Sequence, residues 1–345
     1  MAPSTMKQWF IKGQEKGFEG LEFLEVPVPK VGENEVLVKL HAASLNYRDV
    51  AIAKNEYPSP LRFPFCPGSD GAGEVIEIGS KVTKFRIGDK VATLFHQGHL
   101  YGDIDSSIIP TSLGGFLDGT LRQFGVYNEN GLVKTPNNLD LNESSTLSCA
   151  ALTAWNALYG LKPLKPGDSV LIQGTGGVSI FALQFAKAAG ATIIATTSTK
   201  EKEEALKKLG AHHTINYKED ANWGKTAKSL TSGQSGVDFV IDVAGSESLH
   251  HSIDAIRVGG IINLIGFLSG KKPQLTMELL FRGCTARGVH VGSRQQMEEM
   301  VKAIEANDIH PVIDDKVFNL ESAREAYDYV WNHRQFGKVV IKISE

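Results

Sequence analysis

Up to about Leu139, short apolar stretches alternate with polar positions and are cut by turn residues. Val36 to Leu40, Gly73 to Ile78 and Asp89 to Ala92 read as strands, with Gly79 and Gly88 at corners, and the pattern predicts an irregular β-barrel with few helix signals. From His96 to Thr120 the chain carries Gly and Ser but little periodicity. A loop of that length inside a compact domain is more often functional than idle, so it is expected to shape a substrate pocket. After Pro136 the pattern changes. Ser145 to Gly160 has helical character, and Pro166-Gly167-Asp168 turns into the apolar run Ser169 to Gln173. A helix over Ile180–Ala189, a buried strand over Thr192–Thr196 and a charged helix over Lys200–Leu209 follow. The alternation continues through 213–216, 223–230, 237–243, 247–256 and 261–265. Continuously apolar strands such as Phe239-Val240-Ile241 suit a parallel sheet covered on both faces, and the alternation predicts a doubly wound α/β domain. Beyond Arg294 the pattern gives a helix, a short strand near Val317, a helix over Glu321–Trp331 and a strand over Lys338–Ile343. Periodicity does not say which domain these last elements join.

Composition narrows the class. A chain of 345 residues suggests two domains, and 42% hydrophobic against 22% charged residues is the balance of a chain that buries sizeable cores. The net charge of −3 is too balanced for a phosphate backbone to dominate binding, so nucleic acid is not an expected partner. Cys66, Cys149 and Cys284 are odd in number and far apart, which argues for a reducing compartment. Residues 1–12 lack the apolar core of a secretory signal, and no apolar run approaches the roughly 20 residues that span a bilayer. The expectation is a cytoplasmic protein without a membrane partner.

Gln173-Gly174-Thr175-Gly176-Gly177-Val178-Ser179 follows a predicted strand and opens a predicted helix, which is the context a dinucleotide fingerprint requires. Glycines there allow a sharp turn and let backbone N–H groups approach a pyrophosphate at the positive end of the helix dipole. Ser179 replaces the third glycine of the fingerprint. A fold that binds NAD commonly carries an acid at the end of its second strand for the ribose 2′-hydroxyl. Here the strand ends Ala195-Thr196-Thr197-Ser198-Thr199-Lys200-Glu201-Lys202. Hydroxyl and ammonium groups at Ser198 and Lys202 favour a 2′-phosphate, so the expected cofactor is NADP rather than NAD. The alternative is that Lys200 to Lys208 is simply a solvated helix face.

The segments Ala43-Ser44-Leu45-Asn46-Tyr47-Arg48-Asp49, Pro67-Gly68-Ser69-Asp70-Gly71-Ala72-Gly73, the Gly174 fingerprint and His213-Thr214-Ile215-Asn216-Tyr217 occur in the order seen in medium-chain dehydrogenases/reductases. Over nearly its whole length the chain resembles the zinc-independent, alcohol-dehydrogenase-like and quinone-oxidoreductase-like branch of that superfamily. The resemblance implies a GroES-like β-barrel catalytic domain over residues 1–140, a Rossmann NADP-binding domain over 141–293, and a return to the first domain over 294–345. It places the active site in the cleft between the domains and implies a small-molecule substrate. Zinc members carry Cys, His and Cys as catalytic ligands. This chain has Asn46 at the first position, Ser69 at the second with Asp70 beside it, and Cys149 at the third. The closely spaced cysteines of a structural zinc lobe are also missing, so no metal is expected. By resemblance Asn46 and Thr153 border the nicotinamide, Gly174 to Val178 hold the pyrophosphate, and Ser198, Lys202 and Tyr217 surround the 2′-phosphate. Val243 and Phe267 lie on the nicotinamide side, and Gly337-Lys338 resembles a cofactor-proximal turn.

Without zinc, some other group must polarise a carbonyl or an activated alkene. Tyr57 matches a tyrosine that serves as proton donor or substrate clamp in related enoyl reductases; Tyr47 and Asn46 are the next candidate donors. A phenol is protonated at pH 7 and can bond a developing oxyanion. Tyr57 is otherwise a loop aromatic beside Pro58 and Pro60. Arg48 stands where zinc alcohol dehydrogenases place a proton-relay hydroxyl and is expected to contact cofactor or acidic side chains. The expected function is NADPH-dependent, zinc-independent reduction of a carbonyl or activated C=C compound by hydride transfer. The alternatives are a zinc-type alcohol dehydrogenase with atypical ligands and a non-catalytic NADPH-binding sensor. The segment Thr285 to Val291, at the expected sheet edge, predicts a homodimer.

Overall fold

The structure is a computed structural model that describes residues 2–13, 17–59, 61–266 and 278–344. The chain divides into two compact units, Met1–Leu152 with Gly292–Glu345, and Thr153–Val291.

The first unit begins with strands β1 (Thr5–Ile11), β2 (Leu21–Pro27) and β3 (Glu35–Leu45), helix α1 (Tyr47–Ala53), and strands β4 (Asp70–Ile78), β5 (Lys90–Thr93), β6 (Phe124–Asn128) and β7 (Leu132–Lys134). A single turn α2 (Leu141–Ser144) and a π-helical turn over Leu147–Ala151 lead to α3 (Leu152–Tyr159). The helix expected over Ser145–Gly160 is therefore broken. Within the wide turn the Cys149 N–H donates to Asp70 Oδ2 at 3.3 Å, a partner that a continuous α-helix would not offer it. β3 is the organising strand: it pairs antiparallel with β4, its first half also pairs with β6, and its second half pairs with the last strand of the chain. α1 carried no sequence signal because Arg48 to Ala53 are all buried, which erases the polar face that amphipathic periodicity depends on.

The second unit contains β8 (Ser169–Gln173), α4 (Gly177–Ala188), β9 (Thr192–Thr197), α5 (Lys200–Leu209), β10 (His213–Asn216), α6 (Trp223–Ser229), β11 (Val237–Asp242), α7 (Leu249–Ala255), β12 (Ile256–Leu264), α8 (Glu278–Arg282) and β13 (Thr285–Gly288). These strands pair in parallel, in the order β10-β9-β8-β11-β12-β13. In sequence order that is 3-2-1-4-5-6, the doubly wound arrangement whose connections reverse direction at β8/β11. Leu171, Val240 and Ile262 on one sheet face join Ile253 and Leu249 of α7 in a buried cluster. β12 starts five residues earlier than its apolar run suggests, with a register shift where it passes Gly259-Gly260.

Helices α9 (Arg294–Ala306) and α10 (Ala323–Trp331) and strands β14 (Phe318–Asn319) and β15 (Val339–Lys342) complete the first unit. β15 pairs antiparallel with β3 in the register Val339↔Leu45. Among the described residues, no helix is long and apolar enough to cross a membrane.

Candidate active site and nucleotide site

In the first unit, β3 ends at Leu45 and the next residue, Asn46, is the N-cap of α1. The Asp49 carboxylate accepts the Asn46 backbone N–H at 2.8 Å, which fixes the start of the helix. Four side chains then close a circuit. Lys338, on the approach to β15, donates to Asn46 Oδ1 at 2.6 Å, to the Leu45 carbonyl at 2.8 Å and to Asp70 Oδ2 at 3.4 Å. Asp70 Oδ1 accepts Ser69 Oγ–H at 2.7 Å, and Ser69 Oγ accepts Asn46 Nδ2–H at 3.3 Å. Asp70 and Lys338 are only 0% and 3% exposed, so the pair is desolvated on both sides.

Cys149 stands beside this circuit. Burial, reinforced by the Asp70 charge, pushes its thiol up to about 12 against the opposing pull of Lys338 and Arg48. Burial also pushes the Asp49 carboxyl up to about 6, although Arg48, the Asn46 N–H and Lys338 hold it down.

Arg48 is buried and meets the acid expected of it: Nη1 lies 3.5 Å from Asp49 Oδ1 and donates to the Leu113 carbonyl at 3.1 Å. Its guanidinium lies 5.5 Å from the ring centroid of Tyr57 and 4.7 Å from that of Phe95. Tyr57 is half-buried and lies against this cation. Tyr47 faces elsewhere. Its ring stacks on Trp331 and His333 at 6.1 and 5.9 Å, and burial and Glu56 raise its phenol above the ordinary range. Asn46, Lys338 and the Arg48–Tyr57 pair are thus gathered around the start of α1, and Tyr47 is turned into an aromatic stack. Leu113, in the aperiodic segment 96–120, supplies a carbonyl to this region, and Gly114 and Gly119 of the same segment pack on the Gly68 backbone.

In the second unit the predicted nucleotide residues collect at the C-terminal edge of the parallel sheet. Gly174 follows β8 with φ +74°, a conformation that favours glycine. A Cβ at Gly174 or Gly176 would meet nothing within 4 Å, so the loop leaves open space above its backbone. Gly176 caps α4 without a side-chain bond, which leaves the first N–H groups of that helix, from Gly177 and Val178 onward, available to an anion. Ser179 fits where a third glycine was expected: it is 1% exposed and its Oγ donates to the Gln173 carbonyl at 2.7 Å. The open cradle and uncapped helix start fit a dinucleotide pyrophosphate.

Ser198 directly follows β9, Thr199 caps α5 by accepting the Lys202 N–H at 3.3 Å, and Tyr217 follows β10 with its N–H on the Thr197 carbonyl at 3.0 Å. Ser198, Lys202 and Tyr217 therefore share one corner of the sheet. Thr153 is buried in the first turn of α3, Val243 follows β11, and Phe267 lies outside the described residues. Sequence reasoning missed Asp242, which is fully buried at the end of β11. It accepts Ser248 Oγ at 2.8 Å and Ser252 Oγ at 2.7 Å, and Ser252 Oγ in turn accepts Gln173 Nε2–H at 2.9 Å. This network ties together the ends of β8 and β11, where the strand order reverses. An acid ending an apolar strand was the one available signal.

Residues 32–137 match the alcohol dehydrogenase GroES-like domain family and residues 177–306 the zinc-binding dehydrogenase family. The chain is 46% identical to a zinc-type alcohol dehydrogenase-like protein of Schizosaccharomyces pombe, over 98% of this chain and 99% of that one. It is 30% identical to a 2-haloacrylate reductase of a Burkholderia species, over 92% and 93%. Among solved structures, one from Sinorhizobium meliloti assigned as an alcohol dehydrogenase superposes with a TM-score of 0.91 at 37% identity, covering 99% of this chain and 100% of that one. An NAD-dependent alcohol dehydrogenase superposes with a TM-score of 0.88 at 32% identity, covering 98% and 100%. A catalytic zinc needs three anionic or imidazole ligands. Around Asn46, Ser69, Asp70 and Cys149 there is one carboxylate, one thiol and two neutral side chains, with the Lys338 ammonium on the carboxylate, and this set falls short of the three ligands the ion needs.

Proposed function

The chain is an oxidoreductase of the medium-chain dehydrogenase/reductase superfamily, and from that premise we propose that it reduces a carbonyl or activated C=C compound with NADPH and without zinc. The Lys338–Asp70 ion pair, seated among the side chains that would have to bind a metal, carries this reading. With no ligand set for a Lewis acid, charge appearing on the substrate oxygen is met by hydrogen-bond donors. Bound NADPH supplies the hydride. The Gly174–Gly176 cradle and the start of α4 hold its pyrophosphate, while Ser198, Lys202 and Tyr217 receive a 2′-phosphate at a corner where the second strand ends without an acid. Thr153, Val243 and Phe267 serve the nicotinamide. Tyr57 supplies the proton, and Arg48 beside it meets the charge left on its oxygen.

The relative named as a 2-haloacrylate reductase supports the activated-alkene class. The NAD-dependent alcohol dehydrogenase among the similar structures makes the choice of cofactor the sharpest test. Fluorescence titration of the purified protein should give at least tenfold tighter binding of NADPH than of NADH; equal or tighter NADH binding overturns the NADP assignment. With NADPH in hand, a panel of enones, quinones, enoyl thioesters and aldehydes should show turnover of at least one class. Tight binding with no turnover of any class would make the protein a nucleotide sensor instead.

A further inference from the structure

An asparagine amide has two faces, and which one meets a substrate decides whether it donates or accepts. Here the orientation is fixed by chemistry. An ammonium can only donate, so the atom of Asn46 that lies 2.6 Å from Lys338 Nζ must be the carbonyl Oδ1. Nδ2 then faces Ser69 Oγ, which it reaches at 3.3 Å. The Ser69 hydroxyl has one proton, and Asp70 Oδ1 takes it at 2.7 Å; Asp70 Oδ2 returns to Lys338 at 3.4 Å. The circuit Asn46→Ser69→Asp70←Lys338→Asn46 therefore has every donor assigned and leaves one hydrogen over, the second N–H on Asn46 Nδ2. Asn46 is half-buried, whereas Asp70 and Lys338 are sealed from solvent, so the leftover donor sits on the one partly open member.

We propose that this Nδ2–H is the hydrogen bond that receives the substrate oxygen, and that Lys338 is a positioning residue which sets the direction of the circuit. The proposal rests on the reductase reading above. Bound NADPH would supply the hydride and be oxidised to NADP⁺; the π-electron pair of the substrate would then move onto the oxygen, which Asn46 Nδ2–H bonds, and one proton, from Tyr57 or water, would complete the product. Lys338 thus acts on the reaction through Asn46, because its own three N–H groups are already committed to Leu45, Asn46 and Asp70. The fold keeps a buried cation in this place, and a directed amide does the polarising.

The test is a double-mutant cycle on the full-length protein. Asn46→Ala and Lys338→Met should each lower kcat by about 100-fold, the range for loss of one oxyanion donor. The double variant should fall no further, with NADPH affinity within threefold of wild type throughout. Losses that multiply in the double variant, an undiminished kcat in Lys338→Met, or a tenfold loss of NADPH affinity in Lys338→Met with and without Asn46 each overturn it. If Lys338→Met does not fold, Asn46→Asp keeps an oxygen for Lys338 and replaces the N–H donor with a carboxylate oxygen that cannot donate, at the cost of one added negative charge; it should retain NADPH binding with a loss of kcat at least as large, and unchanged kcat overturns the proposal. A readout independent of turnover separates failure of this idea from failure of the reductase reading. In protein labelled with ¹⁵N-asparagine, the Asn46 side-chain proton that bonds Ser69, identified by the amide signal that disappears in Asn46→Asp, should resist solvent exchange in wild type and lose that protection in Lys338→Met. Unaltered protection in Lys338→Met overturns the proposal whatever the protein reduces.

Discussion

Asp49 shows how a single buried group couples the start of α1 to solution pH. It is 2% exposed, holds the Asn46 backbone N–H and lies beside Arg48, yet burial leaves its carboxyl at about 6 instead of the usual value near 4. Because the folded pKa is raised, the native state binds more protons than the unfolded chain between about pH 4 and 6. The stabilisation is complete below the unfolded pKa and is lost as pH rises through 6. A rise of that size corresponds to about 3 kcal/mol. Urea unfolding of wild type and Asp49→Asn at pH 4.5 and 7 should show the variant losing less stability across that interval. An identical pH dependence in the two proteins would remove Asp49 from this role. The same residue-scale logic separates the two tyrosines: Tyr57 lies against the Arg48 cation, whereas Tyr47 is held in a ring stack with Trp331 and His333.

At the scale of elements, strand ends and helix starts make the nucleotide corner. β8 ends in a loop whose glycines leave open space, and α4 begins without a side-chain cap. Gly176 has an ordinary φ of −76°, so a side chain there strains nothing and meets no neighbour. It would instead fill the space in which a pyrophosphate is expected. Gly176→Val should leave the thermal midpoint within about 2 °C and weaken NADPH binding by at least tenfold, as read by differential scanning fluorimetry and titration. Gly174 differs, since its φ of +74° would strain any substitution and mix a folding defect into the result. At the end of β9, Ser198→Asp should lower NADPH affinity by more than tenfold while NADH affinity holds or improves, because a carboxylate repels the 2′-phosphate and can accept the 2′-hydroxyl. Equal losses for the two cofactors would count against Ser198 as the discriminating position.

For the molecule as a whole, metal content and mass are the expected observables. Protein purified without chelator should contain well under 0.1 zinc per chain by elemental analysis; stoichiometric zinc, with activity lost to a chelator, would restore the zinc-dehydrogenase reading. β13 is an edge strand, and Val258, Leu280 and Phe281 are 68%, 68% and 80% exposed in the same unit. Edge ladders and exposed apolar groups of this kind favour pairing with a second copy, and light scattering at micromolar protein should give twice the 37.4 kDa chain mass. The alternation of strands and helices over 169–265, the glycine loop after β8 and the lack of an acid after β9 are all legible in the linear chain. Those are local patterns, set by which neighbouring residues must face a core or free the backbone. Neither α1, which is buried all round, nor the Asp242 network leaves such a pattern. That Lys338 bonds Asn46, 292 positions away, follows from the folded chain alone, because β15 returns to pair with β3. Hydrogen bonds between residues so distant in sequence leave no period to read: each partner sits in an ordinary local context, and their meeting depends on every strand pairing that brings the two ends of the chain together.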